Sequence, residues 1–418
     1  MKHDRLNPQP TGRVWLHERD CQLDDFIALI EPGDAAQQLH YASAVEQHVP
    51  IYDCRALRGT LRVADERAAL LAEWVNVLMH GAGVLVLQGA YQDSASGAAD
   101  NVSESTKVID DATTVFEMII AGEREAGASS ADHFAKAGAN DRIWNALEKL
   151  CLHSPDTFAR YYANAFIAAI SEAWLGPNYQ MTSQINVVRP GGAPQQAHRD
   201  YHLGFQTNKE AARYPAHVHT TSPLLTLQGA VAHCDMPVES GPTKLLPFSQ
   251  RYVPGYLAWR NPAFRAHFEA HCIQLPLRKG DAVFFSPALF HAAGANHTPD
   301  ISRMANLLQV SCAFGRAMET VDRTRMSVAL YPALLDLRKT GAMDRDALWA
   351  AIASCAEGYP FPTNLDTDPP VGGLAPESQQ QLMRRALEHE WSEHEFAQAV
   401  TAQHVKRETV TAVYTPQK

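Results

Sequence analysis

The 418-residue chain holds no apolar run near the roughly eighteen residues that a membrane-crossing helix needs; its longest candidates stop at Gly89 or carry His291. Its opening residues, MKHDRLNPQP, lack the apolar core of a secretory signal. Positive charge is in short supply, with 36 Lys and Arg against 46 Asp and Glu and a net charge of −10. No cationic run offsets that balance, which argues against a general nucleic-acid binder, because phosphate neutralisation needs clustered cations. Cysteine is sparse: seven residues, none paired as C-x-x-C, so a compact disulfide framework is excluded. Also missing are a G-x-S-x-G elbow, a G-x-x-x-x-G-K-[ST] phosphate loop, a G-x-G-x-x-G dinucleotide signature and any repeat of fixed period. These absences predict a reduced, soluble, cytoplasmic protein with neither membrane nor nucleic acid as partner. They set no oligomeric state. What the chain does have is apolar content, 46% hydrophobic residues against 20% charged, enough for a sizeable core.

The first 80 residues predict helices: QLDDFIALIE, then DAAQQLHYASAVEQ, then VADERAALLAEWVNVLMH. The third carries Leu70, Leu71, Trp74, Val75, Val77 and Leu78 on one helical face. VLVLQG at 84–89 predicts a short buried strand, and the small, polar residues 91–113 predict a surface insertion. Helix is expected again near 114–121 and 141–153, and Ser154 with Pro155 starts a further one, DTFARYYANAFIAAISEAW. The middle third differs. QMTSQINVV, LLTLQGAVAHC, IQLPL, AVFF and RMANLLQVSCAF are short β-type runs punctuated by Gly and Pro, which suggests a barrel or jelly roll over a parallel α/β sheet. A short helix at 261–272 interrupts them. Beyond 317 the pattern is helical, apart from the Pro-rich stretch 358–373.

Within this middle third lies His198-Arg199-Asp200, with His291 far downstream. Residues i and i+2 of a strand point to one side, so His198 and Asp200 can grip one ion while Arg199 faces away. Two imidazoles and one carboxylate on one face of a metal form the set found in non-haem iron(II) oxygenases, which leaves positions open for other ligands. If the flanks of N-H-T-P-D at 296–300 paired as a hairpin, Arg303 would lie opposite His291. An arginine fork there suits a carboxylate.

The chain resembles the phytanoyl-CoA dioxygenase family of iron(II)- and 2-oxoglutarate-dependent oxygenases. The likeness runs from GVLVLQG at 83–89 through WLGPNYQMTSQINVVRPGGAPQQAHRDYH at 174–202. It continues in ESGPTKLLPFSQR at 239–251 and GDAVFFSPALFHAAGANHTPDISR at 280–303. The resemblance implies an α+β chain with a mainly-β core, a double-stranded β-helix (jelly roll) buttressed by N-terminal helices and extended by C-terminal ones. It implies iron(II) held by His198, Asp200 and His291, with Arg303 on the distal carboxylate of 2-oxoglutarate and O2 as the other co-substrate. Asn186 is the expected polar partner of 2-oxoglutarate on the strand before H-x-D, with Gln184 second. Many relatives carry a serine or threonine two residues after the distal histidine; this chain has Ala293.

The implied organisation is one structural unit. Its parts are N-terminal helices and a first strand (1–90), an insertion with a short helix (91–140), the catalytic core (141–316) and a helical C-terminal region (317–418). The implied reaction is hydroxylation of a C–H bond of a small-molecule metabolite. The alternatives are desaturation, ring formation or epimerisation at the same site, or a non-catalytic binding module. Residues 201–222 are long enough to form a lid, where His202, Lys209 and Arg213 are candidates for meeting substrate. His267 and His271, four apart on a helix, lack a nearby third ligand and read as solvated.

Overall fold

A computed structural model describes residues 14–31, 39–92, 106–126 and 140–408. Among the described residues ten strands are formed: β1 (Ala44–Glu46), β2 (Val49–Asp53), β3 (Val84–Gln88), β4 (Asn140–Ile143), β5 (Gln180–Val188), β6 (Thr226–Ala232), β7 (Lys244–Leu246), β8 (Ala282–Phe285), β9 (Phe290–Ala292) and β10 (Arg303–Ser311). Eight make one sheet in the order β1-β2-β3-β8-β6-β10-β5-β4, and β7 pairs with β9 in a second, small sheet. All pairs are antiparallel except β2 with β3. The fold is therefore mixed α/β with a large, mainly antiparallel sheet, as the short β-runs of the middle third predict.

Alternation along the strands sorts the side chains onto two faces. Leu85, Leu87, Phe284, Leu227, Val231, Leu308, Val310, Met181 and Ile185 point one way, into a core shared with the helices. The other face lines a cavity. Register aligns its residues in rows: Phe285, Gln228 and Gln309; then Val283, Ala230, Leu307 and Gln184; then Ala232, Ala305, Asn186 and Arg142. The C-terminal helices Arg323–Lys339, Arg345–Cys355, Gln379–Glu388 and Glu393–Lys406 pack into the helix-side core through Leu330, Tyr331, Ile352, Met383 and Phe396. No helix among the described residues is long and apolar enough to cross a membrane.

Five local expectations are corrected. Helix was expected over 34–47, but 39–47 contain none; β1 and β2 form a hairpin there, turning through Gln47 and His48 at φ 48° and 72°. Pro50 and its β-prone neighbours favour extended chain, and β2 gains its place by pairing with β3. Residues 34–38 and 93–105 lie outside the described set. Residues 107–113, expected in a loop, open the helix Lys107–Glu125, whose Ile109, Ala112, Phe116, Ile119 and Ile120 recur at three and four residues beneath a polar outer face. Helix was expected from 141, but Asn140–Ile143 is strand β4 on the sheet edge, and helix begins only at Ala146 after Asn145 at φ 52°. The long helix after Ser154 breaks at Ala163–Asn164, where Asn164 caps the second piece by accepting from the N–H groups of Phe166 and Ile167. IQLPL makes only isolated bridges, Leu245 to Ile273 and Met236 to Leu277.

One buried histidine on the helix side gives a stability prediction. His233 follows β6, 4% exposed, with Nδ1 2.8 Å from Thr113 Oγ1 and Nε2 2.9 Å from the Tyr161 hydroxyl. Burial, aided by the charge on Lys279, pushes its pKa down to about 3. The unfolded chain therefore takes up one more proton than the native one between about pH 6.5 and 3, so stability falls with acid at about 1.4 kcal/mol per pH unit. Urea unfolding at stepped pH should show a slope shallower by one proton in His233→Gln than in the parent. Equal slopes would mean that His233 is not buried neutral.

Candidate metal centre and cavity

After β5 the chain turns at Pro190-Gly191-Gly192 and runs extended to Asp200. There it lies beside β9: His198 and His291 exchange N–H···O bonds of 3.0 and 3.2 Å, and Asp200 N–H donates to Pro287 O. Leu245 of β7 pairs with His291 on the other side. This ladder places the two histidines abreast, with ring centroids 4.4 Å apart, and Asp200 two residues on from His198 turns to the same side. The hairpin expected to set Arg303 opposite His291 does not form. β9 belongs to the small sheet, while β10 pairs with β5 and β6 and Arg303 faces Val188 across the strands.

The ligand atoms of His198, Asp200 and His291 all lie within 4.8 Å of one another. Each imidazole donates Nδ1–H to a backbone carbonyl two residues earlier, Gln196 and Leu289, both at 2.8 Å. That fixes the ring and leaves Nε2 to bind. The Nε2 atoms stand 3.6 and 3.4 Å from the two oxygens of Asp200. Burial lowers the pKa of His198, against the opposing pull of Asp200, so at neutral pH this ring is a neutral donor and not half of an ion pair. Burial would raise Asp200, but His198, His291 and the Gln228 amide outweigh it and hold the carboxyl well below the usual carboxylate range. Two imidazole nitrogens and one carboxylate, converging from rigid backbone, fit a divalent transition metal. His267 and His271 stack at 4.1 Å, and no third ligand joins them among the described residues.

Arg199 turns away from this set, as expected, and its guanidinium is buried in the turn at 249–256. Nη2 donates to the carbonyls of Ser249 and Tyr252 at 2.6 and 2.9 Å, and the charge lies over the Tyr256 and Phe290 rings. A Cβ on Gly255 would come within 2.0 Å of the guanidinium carbon, so only glycine leaves room for it. Tyr201 and His202, at φ 59° and 38°, bend the chain directly after Asp200, and Gly204 packs so tightly that a Cβ would meet Arg199 O at 2.0 Å.

A cavity of about 510 Å³ opens from the three ligands along the sheet. Its wall is apolar over β3 and β8 (Val86, Val283, Phe285) and polar over β10, β5 and β4 (Arg303, Gln309, Gln184, Asn186, Arg142). Arg303 is 6% exposed and has no hydrogen-bond or ion-pair partner among the described residues. Burial pushes its pKa down to about 10, with the Cys234 thiol opposing, so it stays charged at neutral pH. A buried cation facing a cavity calls for an anion. Asn186 lines the same wall, its Oδ1 buried without a partner among the described residues. Gln184 also lines it, but Arg142 donates to its Oε1 at 2.8 Å and its amide donates to Gln309 at 3.2 Å. The three lid candidates do not reach the cavity. His202 Nδ1 bonds to Ser222 Oγ at 2.9 Å, Lys209 is exposed, and Arg213 is exposed and paired with Glu210.

Residues 77–305, more than half the chain, match the sequence profile described as Phytanoyl-CoA dioxygenase (PhyH). The chain belongs to the phytanoyl-CoA dioxygenase family. Among curated proteins it is similar to the dioxygenase trt7 of Aspergillus terreus, 29% identical over 161 residues, 38% of this chain and 49% of that protein. The chain thus spans about half the length of the relative it matches. Similar solved structures include the α-ketoglutarate-dependent epimerase SnoN from nogalamycin biosynthesis (20% identity, 60% of this chain and 84% of that one, TM-score 0.37). Another is AviO1 from Streptomyces viridochromogenes (17%, 60% and 97%, TM-score 0.40). Likeness at these scores assigns neither residues nor reaction. Gln228 and Arg142 also line the cavity, and neither is among the candidates drawn from the sequence. The signal for Gln228 is a lone amide inside the apolar run LLTLQGAVA; Arg142 was hidden in a stretch read as helix.

Proposed function

We propose that this chain is an iron(II)- and 2-oxoglutarate-dependent dioxygenase acting on a small molecule. The observation that carries the reading is the convergence on one cavity of the His198–Asp200–His291 donor set and the buried Arg303, which has no partner among the described residues. His198, Asp200 and His291 would hold the metal, and Arg303 the distal carboxylate of 2-oxoglutarate, with Asn186 beside it. Gln184 is the weaker co-substrate candidate, because both ends of its amide are engaged. When bound, iron(II) with 2-oxoglutarate and O2 supplies the oxidation, releasing succinate and carbon dioxide and converting a substrate C–H to C–OH.

The protein's part is to orient and to exclude water. Gln228 donates to Asp200 Oδ2 and fixes the carboxylate. The backbone carbonyls of Gln196 and Leu289 hold both imidazoles in one tautomer. The apolar wall keeps water from the reacting centre. Hydroxylation is the simplest outcome; desaturation, ring formation or epimerisation would use the same residues, and a non-catalytic module is disfavoured by the intact donor set. The frame is read as a double-stranded β-helix, supported by the large sheet and the β7–β9 ladder both contributing to the cavity. Core residues 141–316, the N-terminal region and the 317–418 helices are read as one unit, because β2 and β3 are strands of the same sheet.

The test is an anaerobic titration. One iron(II) should bind per chain, and adding 2-oxoglutarate should bring up a visible charge-transfer band. Absence of that band, together with no iron-dependent binding of 2-oxoglutarate by calorimetry, would overturn the reading.

A further inference from the structure

Arg303 and Gln309 share the cavity face of β10 but sit six residues apart, about 20 Å along the strand. A short diacid held between Arg303 and the metal leaves the Gln309 end of the cavity to another molecule. Gln309 lies directly opposite Gln228 in the β6–β10 ladder, and Gln228 donates to Asp200. The Gln309 amide is therefore one strand away from the residue that braces the metal centre. A relay of hydrogen bonds decides which end of that amide is available. Arg142 can only donate, and its Nη1 does so to Gln184 Oε1 at 2.8 Å. Gln184 is left with its NH2 group, which donates to Gln309 Oε1 at 3.2 Å. Gln309 in turn keeps its own NH2 group, which has no partner among the described residues, although the side chain is only 8% exposed and lines the cavity. The head of the relay is itself engaged: the charge of Arg142 acts on the Glu319 carboxylate, and the guanidinium lies 5.3 Å from the Trp144 ring centroid. What the relay presents to a ligand is a neutral donor.

We infer that Gln309 is a specificity-determining residue whose Nε2–H donates to an uncharged carbonyl oxygen of the substrate. The inference rests on the dioxygenase reading above and names the substrate class of that site: a neutral carbonyl compound with an apolar body. Phe285, in the same row of the sheet, offers that body an apolar surface, as do Trp144, Phe205 and Met318 elsewhere on the cavity wall. A buried N–H left without an acceptor is costly, so a hydrocarbon of the same shape forfeits the bond that a carbonyl makes. A carboxylate brings a charge whose burial a single amide N–H does not offset.

The experiment uses full-length protein loaded with zinc(II), which blocks turnover, and saturated with 2-oxoglutarate. Cyclohexanone, indanone and tetralone are titrated by calorimetry, each beside its parent hydrocarbon and the matching ring carboxylate. Gln309→Met keeps the volume and removes the donor. It should lower the ketone-to-hydrocarbon affinity ratio about three- to tenfold for at least one pair. Gln309→Glu keeps an oxygen that accepts from Gln184 but offers no donor, so the ratio should fall as far. No carboxylate should bind the parent more tightly than its ketone. Gln309→Met should leave 2-oxoglutarate affinity within about twofold of the parent, because Arg303 is six residues away along β10. The proposal is overturned if a folded variant leaves every ratio within about twofold of the parent's, which includes the case in which no ketone binds. It is also overturned if a carboxylate is preferred to its ketone, or if Gln309→Met weakens 2-oxoglutarate instead. Should Gln309→Met fail to fold, Gln309→Glu, which satisfies Gln184, decides alone. Failure of the zinc-loaded parent to bind 2-oxoglutarate would overturn the dioxygenase reading itself, whereas intact 2-oxoglutarate binding with unmoved ratios overturns this inference only.

Discussion

His198→Ala and His291→Ala are each expected to abolish 2-oxoglutarate turnover while leaving the chain folded. Each removes one of three converging donors, and the two that remain cannot hold a divalent ion in the same geometry. The loss in iron affinity should exceed the tenfold to hundredfold typical of changing an outer hydrogen-bond partner. Folding should survive because the ladder between 198 and 291 runs through backbone N–H and C=O groups, which alanine keeps. The vacated volume also opens onto the cavity, where water can enter. Gln228→Leu is the graded companion. It leaves all three ligands and removes only the donor to Asp200, so iron should weaken by about ten- to a hundredfold. Iron binding followed by calorimetry, with melting temperature as the control for folding, checks the set. Parent-like turnover in either histidine variant at saturating iron would take that histidine out of the centre.

The three proposed ligands were legible for a local reason. His198 and Asp200 are two apart on an extended segment, and strand geometry alone puts them on one side. His291 was legible because an apolar strand and a turn frame it. Its neighbours were not, because they are set by pairing between distant segments: β9 is bounded by Leu245 and His198, and β10 by β5 and β6. The sequence places His291 and Arg303 twelve positions apart, but the fold assigns them to different sheets and still brings both to one cavity. Strand β4 shows the same limit. N-D-R-I has little β-preference of its own and becomes a strand by adding to the exposed edge of β5. With that strand missed, Arg142 could not be seen as a cavity residue. The stripe of the Lys107–Glu125 helix was readable in principle, since Ile109, Ala112 and Phe116 have helical spacing, but the acidic and hydroxyl residues between them resemble a loop.

Arg303→Gln tests the co-substrate separately from the metal. The arginine is buried, charged and without a partner among the described residues, so an anion entering the cavity meets a cation that is already desolvated. A charge-assisted pair of this kind contributes about 1.5–3 kcal/mol. At roughly 1.4 kcal/mol per tenfold, the variant should bind 2-oxoglutarate about ten- to more than a hundredfold more weakly. Ala293, which lines the cavity, pushes the expectation toward the severe end, because its side chain offers no oxygen to share the carboxylate. Iron affinity should change little, since Arg303 is outside the donor set. Stability should hold or rise, because glutamine removes a buried charge that has no partner among the described residues. An exposed ion-pairing arginine would behave differently, its loss amounting to at most about 1 kcal/mol. Calorimetry of 2-oxoglutarate into zinc-loaded parent and variant decides between them, and an unchanged dissociation constant would move the co-substrate anchor to another cavity residue.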